Sequence, residues 1–283
     1  MTRQAFYQHF WQTQESSIEA QLIVRQVRAL RQHHPVMGGR KLYCLLQPFL
    51  LEHQIKLGRD ALFNLLYEHR LLVRRKRRFV STTMSRHWLK KYPNLIKDWV
   101  PALPNQLWVA DITYLRIANQ FLYISLITDA CSHKIVGYHI ANTMEAVHTA
   151  SALKMALKDN PSVDGLIHHS DRGMQYCTSA YTNRLKYHGI KISMTQTGDP
   201  LENAIAERIN GIIKQEYLDH YVITNTEDGM ELLTTAVRRY NEERPHQSIQ
   251  WMTPHYVHEK NLSINRQWSK KPKLSITVNP EQD

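Results

Sequence analysis

Three carboxylates, Asp111, Asp171 and Glu207, stand where short sequence patterns set the edges of regular elements. Asp111 falls inside a β-rich run, Val109-Ala110-Asp111-Ile112-Thr113-Tyr114. Asp171 stands just after another, in Ile167-His168-His169-Ser170-Asp171-Arg172-Gly173. Glu207 lies on a helical pattern opened by the turn signal Gly198-Asp199-Pro200, and 35 residues separate it from Asp171. Three acids brought together, with no cysteine cluster beside them, suit a hard divalent cation, Mg²⁺ or Mn²⁺. Two such ions clamp the attacking and leaving oxygens of an in-line displacement at phosphorus, and water or a sugar hydroxyl then serves as nucleophile. These residue types therefore point to metal-dependent phosphodiester chemistry on nucleic acid.

The elements that must position them follow from periodicity. At about 100° per residue, Asn203, Glu207, Asn210 and Lys214 share one side of their helix and Ile205, Ile209, Ile212 and Ile213 the other. That pattern predicts an apolar side docked on a core, with the carboxylate, amides and amine aimed away from it. Upstream, Leu107–Leu115, Phe121–Asp129 and Ile135–Ile140 read as an antiparallel meander. A helix over Met144–Lys158, a strand over Gly165–His169, a helix over Ser179–His188 and a strand over Ile190–Met194 follow, and 226–243 is a further helix. The order β-β-β-α-β-α-β-α gives a mixed five-stranded sheet with flanking helices, in the α/β class. In such sheets the carboxyl ends of the strands line the functional crevice. Asp171 suits that edge directly, whereas Asp111 suits it only if its strand is the neighbour.

The net charge of +11 is uneven. Residues 1–100 hold 18 Lys/Arg and 6 Asp/Glu, and residues 101–283 hold 18 and 19, so the whole excess lies in the first third. The natural partner of that third is a polyanion. Helices are predicted over 16–34, 40–53 and 59–69, and the last two, with their tight link, fit a helix-turn-helix that would carry Arg59. From Arg70 to Lys91 there are nine Lys/Arg and no acid, including the run Arg74, Arg75, Lys76, Arg77 and Arg78, with Phe79, Trp88 and Tyr92 interleaved. This reads as an arm tracking phosphates. Pro93, Pro101 and Pro104 mark a linker. The predicted organisation is a helical DNA-binding region over 1–93, a linker over 94–104, a core over 105–260 and a polar basic tail over 261–283. No apolar run spans a membrane, no signal peptide is read, and three scattered cysteines give neither a disulfide framework nor a zinc pair, so a cytoplasmic protein is expected.

Other residues compete for the site. Asp129, at the end of the second strand, is either a fourth acid or a turn former. His168 and His169 are read as packing or phosphate contacts rather than zinc ligands. His246 either touches DNA or caps a helix. Arg172 either contacts DNA near the site or fixes its loop.

Trp108-Val109-Ala110-Asp111-Ile112-Thr113-Tyr114-Leu115, His168-His169-Ser170-Asp171-Arg172-Gly173-Met174-Gln175-Tyr176, Glu202-Asn203-Ala204 through Glu207, and Tyr240-Asn241 with Arg244-Pro245-His246 together resemble the second-reading-frame insertion-sequence transposases of the DDE type. These are related to retroviral integrases. The likeness spans about residues 35–258. It implies a ribonuclease-H-like catalytic core preceded by a small all-α helix-turn-helix domain. It implies Asp111, Asp171 and Glu207 as the catalytic, metal-binding triad, and Lys214 as the basic residue that follows the glutamate. It further implies cleavage at element ends, strand transfer into double-stranded target DNA, a homo-oligomer on DNA near the prokaryotic nucleoid, and a first-frame partner protein or a frameshift fusion with one. The chain departs from the pattern at Glu202, where aspartate is usual, and has no His-His-Cys-Cys zinc module. A catalytically silent DNA-binding relative is the alternative reading, and three intact carboxylates argue against it.

Overall fold

The computed structural model describes residues 3–73, 88–97, 99–117, 120–161, 163–196 and 203–264. Arg74, Arg75, Lys76, Arg77, Arg78, Glu202 and the tail beyond 264 lie outside these, so the arm reading falls there too.

The N-terminal region is all helical: α1 (Arg3–His33), α2 (Gly39–Glu52) and α3 (Arg59–Glu68). The first helix begins well before residue 16, because the Gln-rich stretch from Arg3 lacks an apolar repeat but also lacks any Gly or Pro to stop it. Val27, Met37, Leu42, Leu46, Leu62 and Leu66 pack together as a core of their own.

The sheet contains β1 (Leu107–Ile117), β2 (Gln120–Asp129), β3 (Ile135–Ala141), β4 (Ile167–Ser170) and β5 (Lys191–Met194), in the order β3-β2-β1-β4-β5. β1, β2 and β3 form the antiparallel meander, while β1–β4 and β4–β5 are parallel. The expected mixed sheet is therefore present, with β1 at its centre. One face carries α4 (Ala146–Asp159), α5 (Met174–Cys177) and α6 (Ser179–Tyr187), burying Trp108, Ile127, Leu153, Tyr181 and Leu185. The other face carries α7 (Ala204–Ile212) and α8 (Thr226–Glu242), burying Leu122, Ile124, Ile209, Ile213, Leu233 and Tyr240. Burying both faces explains why the strands read as nearly continuous apolar runs. Gly137 lets α4 lie directly on β3, since a Cβ there would collide with the carbonyl oxygen of Ala152. A last helix, α9 (Pro254–Glu259), starts from Thr253, whose hydroxyl accepts from the Tyr256 amide, with Pro254 at the first turn.

The helical region is fastened to the core by polar contacts. The buried His34 shares hydrogen bonds with the Tyr217 hydroxyl (3.1 Å) and Glu243 (3.2 Å). Arg239 donates to the His33 carbonyl at 3.2 Å. Lys41 approaches Glu216 at 3.6 Å. No helix among the described residues is long and apolar enough to cross a membrane.

Candidate active site

The parallel ladder between β1 and β4 ends with Ala110 opposite Ser170. The next residue of each chain is an acid, so Asp111 and Asp171 leave the ladder side by side, within about one strand spacing of ~4.8 Å. This meets the condition that the sequence imposed on Asp111, that its strand neighbour the one before Asp171.

Helix α7 brings the third acid. It lies along β1, tied at two points. Asn203 Nδ2 donates to the Ala110 carbonyl at 3.0 Å, and Asn210 Nδ2 donates to Asp111 Oδ2 at 2.8 Å. The two amides are seven residues apart, two helical turns, and Glu207 lies between them on the same side. Both asparagines are buried and Glu207 is exposed. The expectation that this whole polar side faces away from the protein is thus corrected: the amides dock onto the central strand. Exposed backbone carbonyl and carboxylate groups on β1 reward amide donors there, so a polar stripe packs as well as an apolar one. Asn203 gives its side chain to β1 and so provides no side-chain cap for α7.

The carboxyl of Asp111 is raised to about 7. Burial is the main cause. The charge of Asp171 adds to it, and that of Glu207 adds less, while hydrogen bonds from Asn210 and the Ile112 amide oppose it. Asp111 thus feels both other carboxylates. Asp171 Oδ1 accepts from the Gly173 amide at 2.9 Å, which holds the side chain back against its own loop. Below them, the Tyr176 ring is buried and its hydroxyl has no hydrogen-bond partner among the described residues. That hydroxyl is pushed well above the ordinary phenol range by burial, by Tyr181 and by the charges of Asp111 and Asp171.

Three carboxylates that repel one another form a hard-oxygen donor set, whose chemistry fits a divalent cation. Among the described residues no group of three or more His, Cys, Asp or Glu is gathered closely enough to hold a metal ion in this conformation.

The competing candidates resolve individually. Asp129 is fully buried and accepts from the amides of Asn105 (2.7 Å), Cys131 (3.1 Å) and Ser132 (2.7 Å) and from the Ser132 hydroxyl (2.8 Å), so it is the turn former. His168 lies under the sheet against the Tyr181 hydroxyl at 3.0 Å, and His169 contacts the Ser193 hydroxyl at 2.8 Å, so both pack. His246 is buried and accepts from Arg244 at 2.9 Å, and its side chain caps no helix. Arg59 is exposed beside Asp60 at the start of α3. Arg172 is partly exposed next to Asp171. Lys214 begins to leave the α-helix: residues Ile213–Tyr217 form a π-helical turn, a widening that recurs at functional sites. Its amine donates to the Tyr114 carbonyl and stands 4.3 Å from the centre of the Tyr114 ring, so it is neither a free surface lysine nor a core residue.

Two family models, each described as "Integrase core domain", match residues 101–200 and 188–254. The chain is 38% identical over 217 residues to the insertion element IS600 uncharacterized 31 kDa protein of Shigella sonnei, covering 76% of this chain and 80% of that one. It is 36% identical over 219 residues to the transposase for insertion sequence element IS629 of the same organism, covering 77% and 72%. It is 30% identical over 201 residues to transposase InsF for insertion sequence IS3A of Escherichia coli K12, covering 68% of each. The chain belongs to the insertion-sequence transposases. Its core is the ribonuclease-H-like fold of the integrases, and its activity is DDE-type cleavage and joining of DNA strands in transposition. Within this transposase, sequence reasoning did not see what Asn203, Asn210 and Gly173 do for the acids. The signal was available in part. Two amides flanking a carboxylate at a seven-residue interval mark a helix face that is docked, not solvated.

Proposed function

We propose that Asp111, Asp171 and Glu207 are the catalytic acids of this transposase and hold its Mg²⁺, with Mn²⁺ as an acceptable substitute. The observation that carries the assignment is the placement of Asp111 and Asp171 side by side at the end of the β1–β4 ladder, with α7, which bears Glu207, tied to the same strand by Asn203 and Asn210. Cations held there would stabilise the attacking and leaving oxygens during displacement at phosphorus. The chain's own residues orient that chemistry. Asn210 fixes one oxygen of Asp111 and the Gly173 amide one oxygen of Asp171, which orients the two carboxylates. In the first reaction water attacks the phosphodiester at the element end, the P–O3′ bond breaks, and a 3′-hydroxyl is released. In the second that hydroxyl attacks a target phosphodiester, so one bond forms as one breaks and no energy source is required.

The basic first third supplies most DNA affinity in this reading, through α2–α3 acting as a helix-turn-helix, Arg59, and the arm containing Arg74, Arg75, Lys76, Arg77 and Arg78. Lys214 and Arg172 contact phosphates beside the cut. The working unit is a homo-oligomer on double-stranded DNA, with a first-frame partner protein or fusion. The test is a labelled element end in Mg²⁺ and then Mn²⁺. Asp171→Asn should abolish cleavage and joining while leaving duplex binding intact. Cleavage by that variant near the wild-type rate would overturn the assignment.

A further inference from the structure

We propose that the cavity between the start of α2 and the segment after α8 is a second DNA contact, holding a backbone phosphate of a duplex engaged at the carboxylates. The inference rests on the transposase reading above and adds a place and a set of residues to it. The cavity measures about 1030 Å³. Arg40 and Lys41 reach it from α2, Arg208 from α7, Arg244 and His246 from the chain after α8, and His133 from the turn between β2 and β3. Among the described residues no Asp or Glu lines it.

The balance of charge in this wall is unsettled. Glu216 stands behind it and takes a bidentate pair of hydrogen bonds from Arg244 (2.8 and 2.9 Å), with Lys41 at 3.6 Å. One carboxylate thus answers two cations. Arg40 and Arg208 are exposed, and neither forms an ion pair with a described residue. The groups feel one another across the space. Lys41 is lowered first by burial, then by Arg244, with Arg208 adding to it against the pull of Glu216. His246 is lowered by burial, then by Arg244, His133, Lys41 and Arg208. An anion in the cavity would relieve each of these repulsions.

The backbone points the same way. Helix α2 starts at the cavity from Gly38 with no side-chain cap and no acid in its first turn, so the amides of Gly39 and Arg40 and the helix dipole favour an anion there. Phe63 and Trp251 complete the wall with apolar surface suited to a sugar. Gln250 and Trp251 both hold positive φ, at 59° and 64°, a conformation costly for such residues and typical of functional segments. Arg208 directly follows Glu207 on α7, so a strand lying at the carboxylates can pass around the helix into the cavity.

The experiment uses the full chain and a labelled duplex oligonucleotide, with affinity measured by fluorescence anisotropy across a series of salt concentrations. Arg40→Ala/Arg208→Ala should bind several-fold more weakly. Its slope of log affinity against log salt should be shallower by about 0.9 for each phosphate that the variant no longer neutralises. Its melting temperature should match wild type, because both side chains are exposed; Arg40→Gln/Arg208→Gln repeats the test if the alanine form fails to fold. Unchanged affinity and slope would overturn the proposal. So would a site that serves free phosphate instead: inorganic phosphate raising the melting temperature of wild type but not of the variant, with duplex binding equal in both. Failure here leaves the Asp171→Asn result untouched, and a cleaving Asp171→Asn protein would undo the transposase assignment whatever the cavity binds.

Discussion

Asn210 donates to Asp111 Oδ2 at 2.8 Å, joining the helix that carries Glu207 to the strand that carries Asp111. With the Asn203 bond to the Ala110 carbonyl and the apolar packing of α7, this hydrogen bond sets the distance between two of the three acids. It also opposes the rise in the Asp111 carboxyl, because an amide donor favours the ionised form. Asn210→Ala should slow strand cleavage by about 10–100-fold and raise the Mg²⁺ concentration needed for half-maximal rate, as loss of a group orienting a metal ligand generally does. Duplex affinity should not change. Cleavage assays over a metal titration check this, and a rate loss with no change in metal requirement would argue against an orienting role.

Gly173 makes a related demand. A Cβ on it would stand 2.9 Å from Asp171 Oδ1 and 3.1 Å from Gln175 Oε1. The φ there is −59°, so alanine is conformationally allowed, and the obstacles are the carboxylate and, less tightly, the Gln175 side chain. Gly173→Ala should turn Asp171 out of place and cost cleavage up to about 10²-fold, the usual scale for a misplacement of about 1 Å. Melting temperature should move little. Full activity in a folded Gly173→Ala protein would show that Asp171 need not lie back against its loop.

The antiparallel meander was legible in the sequence because its three strands are β-rich runs with short turns between, and the parallel members because helices intervene, but that β1 lies beside β4 was not. Asp111 and Asp171 were legible as carboxylates in or just after β-rich runs, yet the same sign marks Asp129, which is a turn former, and Glu207 was legible from its helix face instead. The amide face of α7 was not legible, since Asn203 and Asn210 look like a solvated face until a strand edge with free acceptors is set against them. Nor was the part played by Arg244. Its charge reads as surface, yet it is 1% exposed, and its bidentate partner Glu216, 28 residues earlier, makes that burial tolerable.

That pair gives the third prediction. Burial pushes the Glu216 carboxyl up, yet Arg244 and Lys41 together hold it below the usual carboxylate range. Burial likewise pulls Arg244 down, and Glu216 holds it above its ordinary value. Removing one partner strands a buried charge. Glu216→Ala should destabilise the chain by about 3–5 kcal/mol, read from denaturant unfolding. Because Lys41 also meets Glu216, the same change should loosen the helical region from the core and raise protease sensitivity between residues 33 and 41. A loss below about 1 kcal/mol, the value of a surface pair, would contradict so deep a burial.

The last prediction concerns acid. His168 is fully buried beneath the sheet, and burial, with His169 adding to it, depresses it to about 3. Its Nε2 accepts from the Tyr181 hydroxyl at 3.0 Å, which fixes the neutral ring. A histidine depressed in the folded state contributes stability that is complete above its unfolded value near 6.5 and is lost as pH falls toward the folded value. Between pH 7.5 and 5.5 one such group should cost about 1.4 kcal/mol, while Asp111, raised to about 7, takes up its proton in the same window and shifts stability the opposite way. His246, also pushed well below its ordinary value, should add a second loss of the same sign. Replacing both members of the buried pair, His168→Phe with Tyr181→Phe, leaves no unpaired polar atom. That double variant should therefore keep the neutral-pH stability while its change between pH 7.5 and 5.5 differs from wild type by the about 1.4 kcal/mol that His168 contributes. Denaturant melts at the two pH values decide the matter: an unchanged slope in the folded double variant would mean that His168 does not titrate as a buried neutral ring.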